Sequence, residues 1–296
     1  METIKTYAGQ QDWNLTSYIM EHHQRNAKGN GLMISQMSDH FRMPRDFQSL
    51  VYLTMVLQAE GIRYGVEHWR RHMHRVKGAL YWQLNDCWPV ASWSSIDYFG
   101  RWKALHYHAR RFYAPVLLSL REDDAEIEVH VSNDLTAAWN GNVLWSLVTL
   151  DGQIVEQGNE PVSVPALCDR KIVTLNFTLT PEDKRQTVLL AELYKEDQRL
   201  SLAVATFTPN KHLKLTDPDL KTRIGAAGDT VEIHVTAHSF ARFVEIILAG
   251  TDAIFSDNYF DIPAGWTITV TCPLPAGWSL EQLQEAVTTR SLYQSF

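Results

Sequence analysis

Cysteine is scarce in this chain of 296 residues, which holds three: Cys87, Cys168 and Cys272. An odd, widely spaced set forms no disulfide framework and shows no metal-ligand spacing. All three are expected to be buried free thiols. No apolar run reaches the roughly 18 residues that cross a bilayer as a helix, so no membrane partner is expected. The opening METIKTYAGQQDW has no basic segment leading into an apolar core, hence no leader pattern. It starts directly on helix-like residues, as a piece of a longer protein would. No basic tract is interleaved with exposed aromatics in the manner of a nucleic-acid groove, and nucleic acid is not an expected partner. There is no internal repeat and no low-complexity tract.

What is present divides near Pro115. Residues 1–115 carry 14 Lys and Arg against 9 Asp and Glu, and residues 116–296 carry 13 against 25. The overall charge of −7 thus hides a positive part joined to a strongly negative one. The first part has helical periodicity. Asp46 heads a run in which Phe47, Leu50, Val51, Met55, Ile62, Val66 and Trp69 recur on one face as far as His72. Gly78 to Leu84 is a short apolar run of the kind expected for a strand buried on both faces. Trp102 to Tyr113 returns to helix. Helix, strand, long loop and helix is the ending of a βα series. After Pro115 the period becomes two: Ile127, Val129 and Val131 alternate with Glu126, Glu128 and His130. Asp151-Gly152 marks a hairpin. Strands are expected at 143–150, 162–164, 173–179, 187–194 and 200–207, which makes a β-sandwich. Past a linker at 209–212, further strands are expected at 231–237, 243–248 and 266–272, and a helical turn at 280–286.

The stretch from Leu80 to Pro115, LYWQLNDCWPVASWSSIDYFGRWKALHYHARRFYAP, places Trp82, Trp88, Trp93 and Trp102 among amides, hydroxyls and carboxylates. A plain core does not need that mixture, whereas a sugar site does. The C–H face of a pyranose stacks on an aromatic ring while its hydroxyls take fixed donors and acceptors at the rim. Other residue types are less informative. His22, His23, His106 and His108 lack acidic or thiol partners at metal-ligand spacing, so packing or surface placement is expected and no metal or other cofactor. Lys103, Arg110 and Arg111 are expected on a solvated or interdomain face. Ser94 and Ser95 have no neighbouring histidine at nucleophile–base spacing.

Three segments, Phe47–Arg71, Tyr81–Pro115 and FSDNYFDIP at 255–263, resemble in order the β-mannosidases of glycoside hydrolase family 2. The resemblance runs over essentially the whole chain. It implies a mixed fold: the C-terminal end of a (β/α)8 barrel over 1–114, mostly helical with the last strand, then immunoglobulin-like β-sandwiches over 115–210 and 211–296. It also implies a retaining exo-glycosidase acting on terminal β-mannosides, with two glutamates as acid and nucleophile. No S-E-x-G-like nucleophile motif occurs here, so the chain alone is expected to be inactive, with no catalytic residue of its own. Trp82 becomes a candidate platform for the sugar, against a barrel-interior role. Asn85 and Asp86 would bind hydroxyls or orient the missing acids, against simple loop anchoring. Trp88 and Trp93 would line a further subsite, against covering the barrel mouth. A homo-oligomer, or the missing N-terminal part of the parent enzyme, are the protein partners the resemblance allows. Two rival readings stand beside it: a non-catalytic carbohydrate-binding or structural accessory module using exposed Trp139, Trp145, Trp266 or Trp278, and another family 2 specificity such as an exo-glucosaminidase.

Overall fold

A computed structural model describes residues 1–227 and 230–296. The first 112 residues are helical, with α1 (Glu2–Lys5), α2 (Tyr18–His22), α3 (Gly29–His40), α4 (Phe47–Arg71) and α5 (Ala104–Phe112). The carboxylate of Asp46 accepts the Ser49 N–H at 2.7 Å, satisfying one of the orphan donors at the start of α4. The chain falls into two compact units, one of residues 1–60, 81–108 and 216–296, the other of residues 61–80 and 109–215.

The expected strand at Gly78–Leu84 does not form. The segment is extended, but among the described residues no strand pairs along it. Its hydrogen bonds run to the following loop and helix: Ser95 N–H donates to the carbonyls of Gln83 (3.0 Å) and Leu84 (3.2 Å), Ile96 N–H donates to Leu84 (2.8 Å), and Tyr113 Oη donates to the Ala79 carbonyl (2.9 Å). A parallel strand is completed by neighbouring strands that take its N–H and C=O groups all along its length, and among the described residues no strand lies beside it. Consequently Leu80 is 98%, Trp82 75% and Leu84 55% exposed, where a sealed strand would hide them.

The second unit contains β1 (Val116–Asp123), β2 (Glu126–Asn133), β3 (Trp139–Thr149), β4 (Ile154–Val164), β5 (Cys168–Asn176), α6 (Asp183–Gln186), β6 (Thr187–Lys195) and β7 (Gln198–Thr206). Two antiparallel sheets, ordered β1-β2-β5 and β4-β3-β6-β7, enclose one core. Ile127, Val129 and Val131 point inward from β2, and Leu189, Ala191 and Leu193 from β6, as alternation requires. Trp139 and Trp145 are only 5% and 8% exposed, which corrects the expectation that they stand on the surface. Each lies over a glycine. A Cβ on Gly158, the cross-strand partner of Trp145, would sit 2.5 Å from the indole, and one on Gly141 would sit 2.3 Å from the Trp139 ring. The thiols also depart from expectation: Cys272 is buried, Cys168 partly so, and Cys87 is exposed.

On β2, Glu128 receives Arg121 (2.9 Å) and Lys171 (3.0 Å). These bonds hold its carboxyl well below the ordinary 4.5, at about 2. A carboxyl depressed in the folded state stabilises above its unfolded pKa and loses that contribution as pH falls through the folded one. Glu128→Gln is therefore expected to flatten part of the loss of stability between about pH 4.5 and 2, measured by urea unfolding across that range. An unchanged pH profile would refute the assignment.

The first unit contains β8 (Lys221–Ala227), β9 (Thr230–Thr236), β10 (Ala241–Leu248), β11 (Phe260–Ile262), β12 (Thr267–Pro273), α7 (Leu280–Ala286) and β13 (Val287–Arg290), in sheets ordered β12-β9-β8 and β11-β10-β13. Tyr52, Leu53, Val56 and Ala59 form the buried face of α4 in this unit. Polar groups join that face to the second sheet. Tyr52 Oη donates to the Phe243 carbonyl at 2.6 Å, His108 Nε2 lies 3.2 Å from the Tyr259 carbonyl, and Arg242 lies between Glu60 (3.6 Å) and Asp261 (3.5 Å). Tyr259 Oη donates to Glu245 at 2.6 Å, and Glu245 also receives Arg290. Burial, with the Glu245 charge second, pushes the phenols of Tyr52 and Tyr259 well above their ordinary value.

Candidate carbohydrate site

The site segment is an extended run closed by a tight loop. Beyond the carbonyls of Gln83 and Leu84, Ser95 Oγ ties the two ends: it donates to the Leu84 carbonyl (3.0 Å) and meets Tyr81 Oη (2.8 Å) and His106 Nδ1 (3.1 Å). The histidine that sequence spacing did not place beside Ser95 is thus supplied by α5. With its one proton on a carbonyl and both other partners in place, a fully buried Ser95 hydroxyl is a structural node rather than a nucleophile.

Asp86 is buried at the centre of the loop. Its carboxylate receives the Ser92 hydroxyl and the Ser94 hydroxyl (2.6 Å), and Lys103 Nζ approaches at 3.5 Å. Lys103 is 14% exposed, so the expectation of a solvated face fails for it. Burial lowers the pKa of the Lys103 ammonium, and the Asp86 charge opposes that shift. Tyr7 stands near the same carboxylate. Burial first, then the Asp86 charge, raises its phenol to about 12, and its Oη has no hydrogen-bond partner among the described residues. Asp86 therefore spends its acceptor capacity inside the protein and anchors the loop. Asp97, the other buried acid of the segment, is occupied in the same way by Thr3, the N–H groups of Phe99 (2.9 Å) and Arg101 (2.8 Å), and the Arg101 guanidinium (3.4 Å).

The remaining candidates separate into open and covered groups. Trp82 projects from the extended run, and its peptide bond to Gln83 is cis. Asn85 is exposed and uses its amide N–H on the Asp86 carbonyl at 3.3 Å. Trp93 is 36% exposed, and Gln58 of α4 donates to its carbonyl at 2.6 Å. Trp88 is covered. The His23 ring stacks on it at 4.3 Å, Tyr7 stacks on His23 at 3.9 Å, and the Arg25 guanidinium lies over the indole at 4.3 Å. Stacking surface of the Trp88 indole is thus already taken by His23 and Arg25. The structure brings Trp82, Asn85 and Asp86 onto one loop base and sets Trp88 in a separate stack. Ser92, Ser94 and Lys103 gave no signal of a role in the sequence, since a buried polar cluster depends on contacts six to seventeen positions apart.

The chain is thus a helical region followed by two immunoglobulin-like sandwiches, with exposed aromatics on the loop that precedes them. Residues 125–212 match the mannosidase Ig/CBM-like domain and residues 215–295 the mannosidase Ig-fold domain. The mouse β-mannosidase is 39% identical over 87% of this chain and 32% of its own length, and the bovine β-mannosidase is 30% identical over the same shares. A β-mannosidase A of Aspergillus clavatus is 28% identical over 92% of the chain. The crystal structure of the Dictyoglomus thermophilum β-D-mannosidase superposes on 98% of the chain with TM-score 0.90 at 23% identity, covering 35% of that enzyme. The exo-chitosanase of Amycolatopsis orientalis shares the fold more distantly, with TM-score 0.76 at 16% identity over 99% of the chain and 40% of that protein. The chain belongs to the β-mannosidases of glycoside hydrolase family 2, as a carboxy-terminal portion. It spans about a third of the length of the curated relatives it matches.

Proposed function

We propose that the chain supplies one wall of the sugar site in a retaining β-mannoside hydrolase and does not hydrolyse glycosides alone. On this reading residues 1–114 close the catalytic (β/α)8 barrel, and the sandwiches of 115–210 and 211–296 brace it. The acid and nucleophile lie in sequence outside this chain. The observation that carries the reading is Trp82: a large aromatic, 75% exposed, on a backbone held by the Ser95 and Ile96 hydrogen bonds. A pyranose stacks on such a fixed ring without ordering it first. Asn85 offers its amide oxygen at the rim, and Trp93 extends the apolar surface. Asp86 acts by holding this loop, and Trp88 by supporting it from the covered side.

The exo-glucosaminidase alternative rests on shared fold alone. The accessory-module reading loses two of its tryptophans to the core. Trp82→Ala is expected to abolish detectable binding of mannobiose and mannotriose to the chain, followed by isothermal titration, with unchanged circular dichroism. A stacking contact contributes on the order of 0.5–1.5 kcal/mol beyond its area, enough to remove weak binding. Retained affinity in this variant would sink the platform. Release of nitrophenol from a chromogenic β-mannoside by the purified chain, surviving repurification, would sink the claim that the acids lie elsewhere.

A further inference from the structure

A cluster of imidazoles lies away from the sugar site, at the end of α4 and in the connector after it. His68 and His72 are four residues apart on one helix face, and their ring centroids are 4.4 Å apart. The His74 ring follows, 5.9 Å from that of His72. His68 and His74 are exposed and His72 is half-buried, so an ion from solvent can reach them.

The tautomer of His72 follows from its partner. Its Nδ1 lies 2.8 Å from the carbonyl oxygen of His68. A carbonyl only accepts, so Nδ1 carries the proton and Nε2 carries the lone pair. A backbone carbonyl on one ring nitrogen is how metal-ligating histidines are commonly oriented. With ring centroids 4.4 Å apart, two imidazoles four residues apart at a helix end are near enough for one ion, at about 2.0–2.1 Å from a nitrogen of each, to bridge them. Among the described residues no three His, Cys, Asp or Glu side chains already converge on one point. The donors are therefore two nitrogens, with water completing the coordination.

We propose that His68 and His72 chelate a borderline divalent ion, Cu²⁺, Ni²⁺ or Zn²⁺, at the surface of the helix end. An all-imidazole pair without carboxylate oxygen favours these ions over Mg²⁺ or Ca²⁺. The site does not depend on the glycosidase reading.

The test is titration of the metal-stripped full chain with NiCl₂ and ZnCl₂ at pH 7.5, followed by isothermal calorimetry and thermal unfolding. The unsubstituted chain should bind one ion with a rise in unfolding temperature, since an ion held only by the folded state stabilises it. His68→Asn and His72→Asn should each weaken binding by roughly tenfold or more and remove that rise, because a chelate is lost when either ligand goes. His212→Asn, at an exposed position away from the pair, should leave both unchanged. Magnesium should give no heat. His68 is exposed, so its variant folds even if the His72 variant does not. Unaltered affinity in His68→Asn, or loss of binding in His212→Asn alone, overturns the proposal, as does an unsubstituted chain that binds no ion.

Discussion

Asp86→Ala is expected to destabilise the chain by about 3–5 kcal/mol, measured by chemical denaturation with tryptophan fluorescence. The substitution strips a buried Lys103 ammonium of its counter-charge, at 3.5 Å, and leaves the hydroxyls of Ser92 and Ser94 without their acceptor. The penalty is large because the ammonium stays buried after its partner has gone. A double variant, Asp86→Ala with Lys103→Met, should therefore recover part of the loss, since it removes the orphaned charge as well. Ser92→Ala, which deletes one neutral donor, should cost only about 1 kcal/mol. If Asp86→Ala left stability within about 0.5 kcal/mol of the parent while abolishing oligosaccharide binding, Asp86 would be a sugar ligand and not an anchor.

Asn258→Ala is expected to cost a comparable amount, about 2–5 kcal/mol, for a different reason. Its side chain acts as a strand partner for Ile246: Oδ1 accepts the Ile246 N–H at 2.8 Å and Nδ2 donates to the Ile246 carbonyl at 2.9 Å. The same oxygen accepts the Tyr259 N–H at 2.9 Å. It does this just past the last β10–β11 backbone pair, Val244 with Phe260, and so extends the ladder by one step. Truncation leaves an N–H and a C=O buried without partners, and each such group costs about 1–3 kcal/mol. Asn258→Asp keeps the acceptor but sets a carboxylate against the Ile246 carbonyl, so its loss should be similar or greater at neutral pH and smaller at pH 3. An Asn258→Ala variant with the parent's denaturation midpoint would show that water replaces the amide.

The Asn258 result bears on how the FSDNYFDIP segment is understood. The Phe255 N–H donates to Tyr107 Oη (3.3 Å), Asp261 accepts the Phe243 N–H (2.9 Å) and lies by Arg242, and Tyr259 reaches Glu245. The segment is a latch between α4, α5 and the last sandwich, within one compact unit. The YWQLND segment differs, because its alternate residues Leu80, Trp82 and Leu84 are held open while Tyr81 and Gln83 turn toward the loop.

Local rules were enough for the elements that depend on neighbours in sequence. The 3.6 and 2.0 periods located α4, α5, β2, β6, β7 and β9, and Asp46 and Asp151-Gly152 marked a helix start and a hairpin. The family resemblance and the aromatic–amide mixture around Trp82 were likewise legible, because they are carried by side-chain identity. Everything that turns on covering was decided in three dimensions. An apolar run at 78–84 reads as a buried strand only if something lies on both sides, and hydrogen bonding, not hydropathy, makes a strand. Trp139 and Trp145 read as exposed until Gly141 and Gly158 are seen beneath their rings. Asp86 reads equally as a ligand or a loop anchor, and Ser92, Ser94 and Lys103 around it show which bonds its carboxylate already makes. A side chain's identity states what it can bond to, and the fold determines which of those bonds are already made.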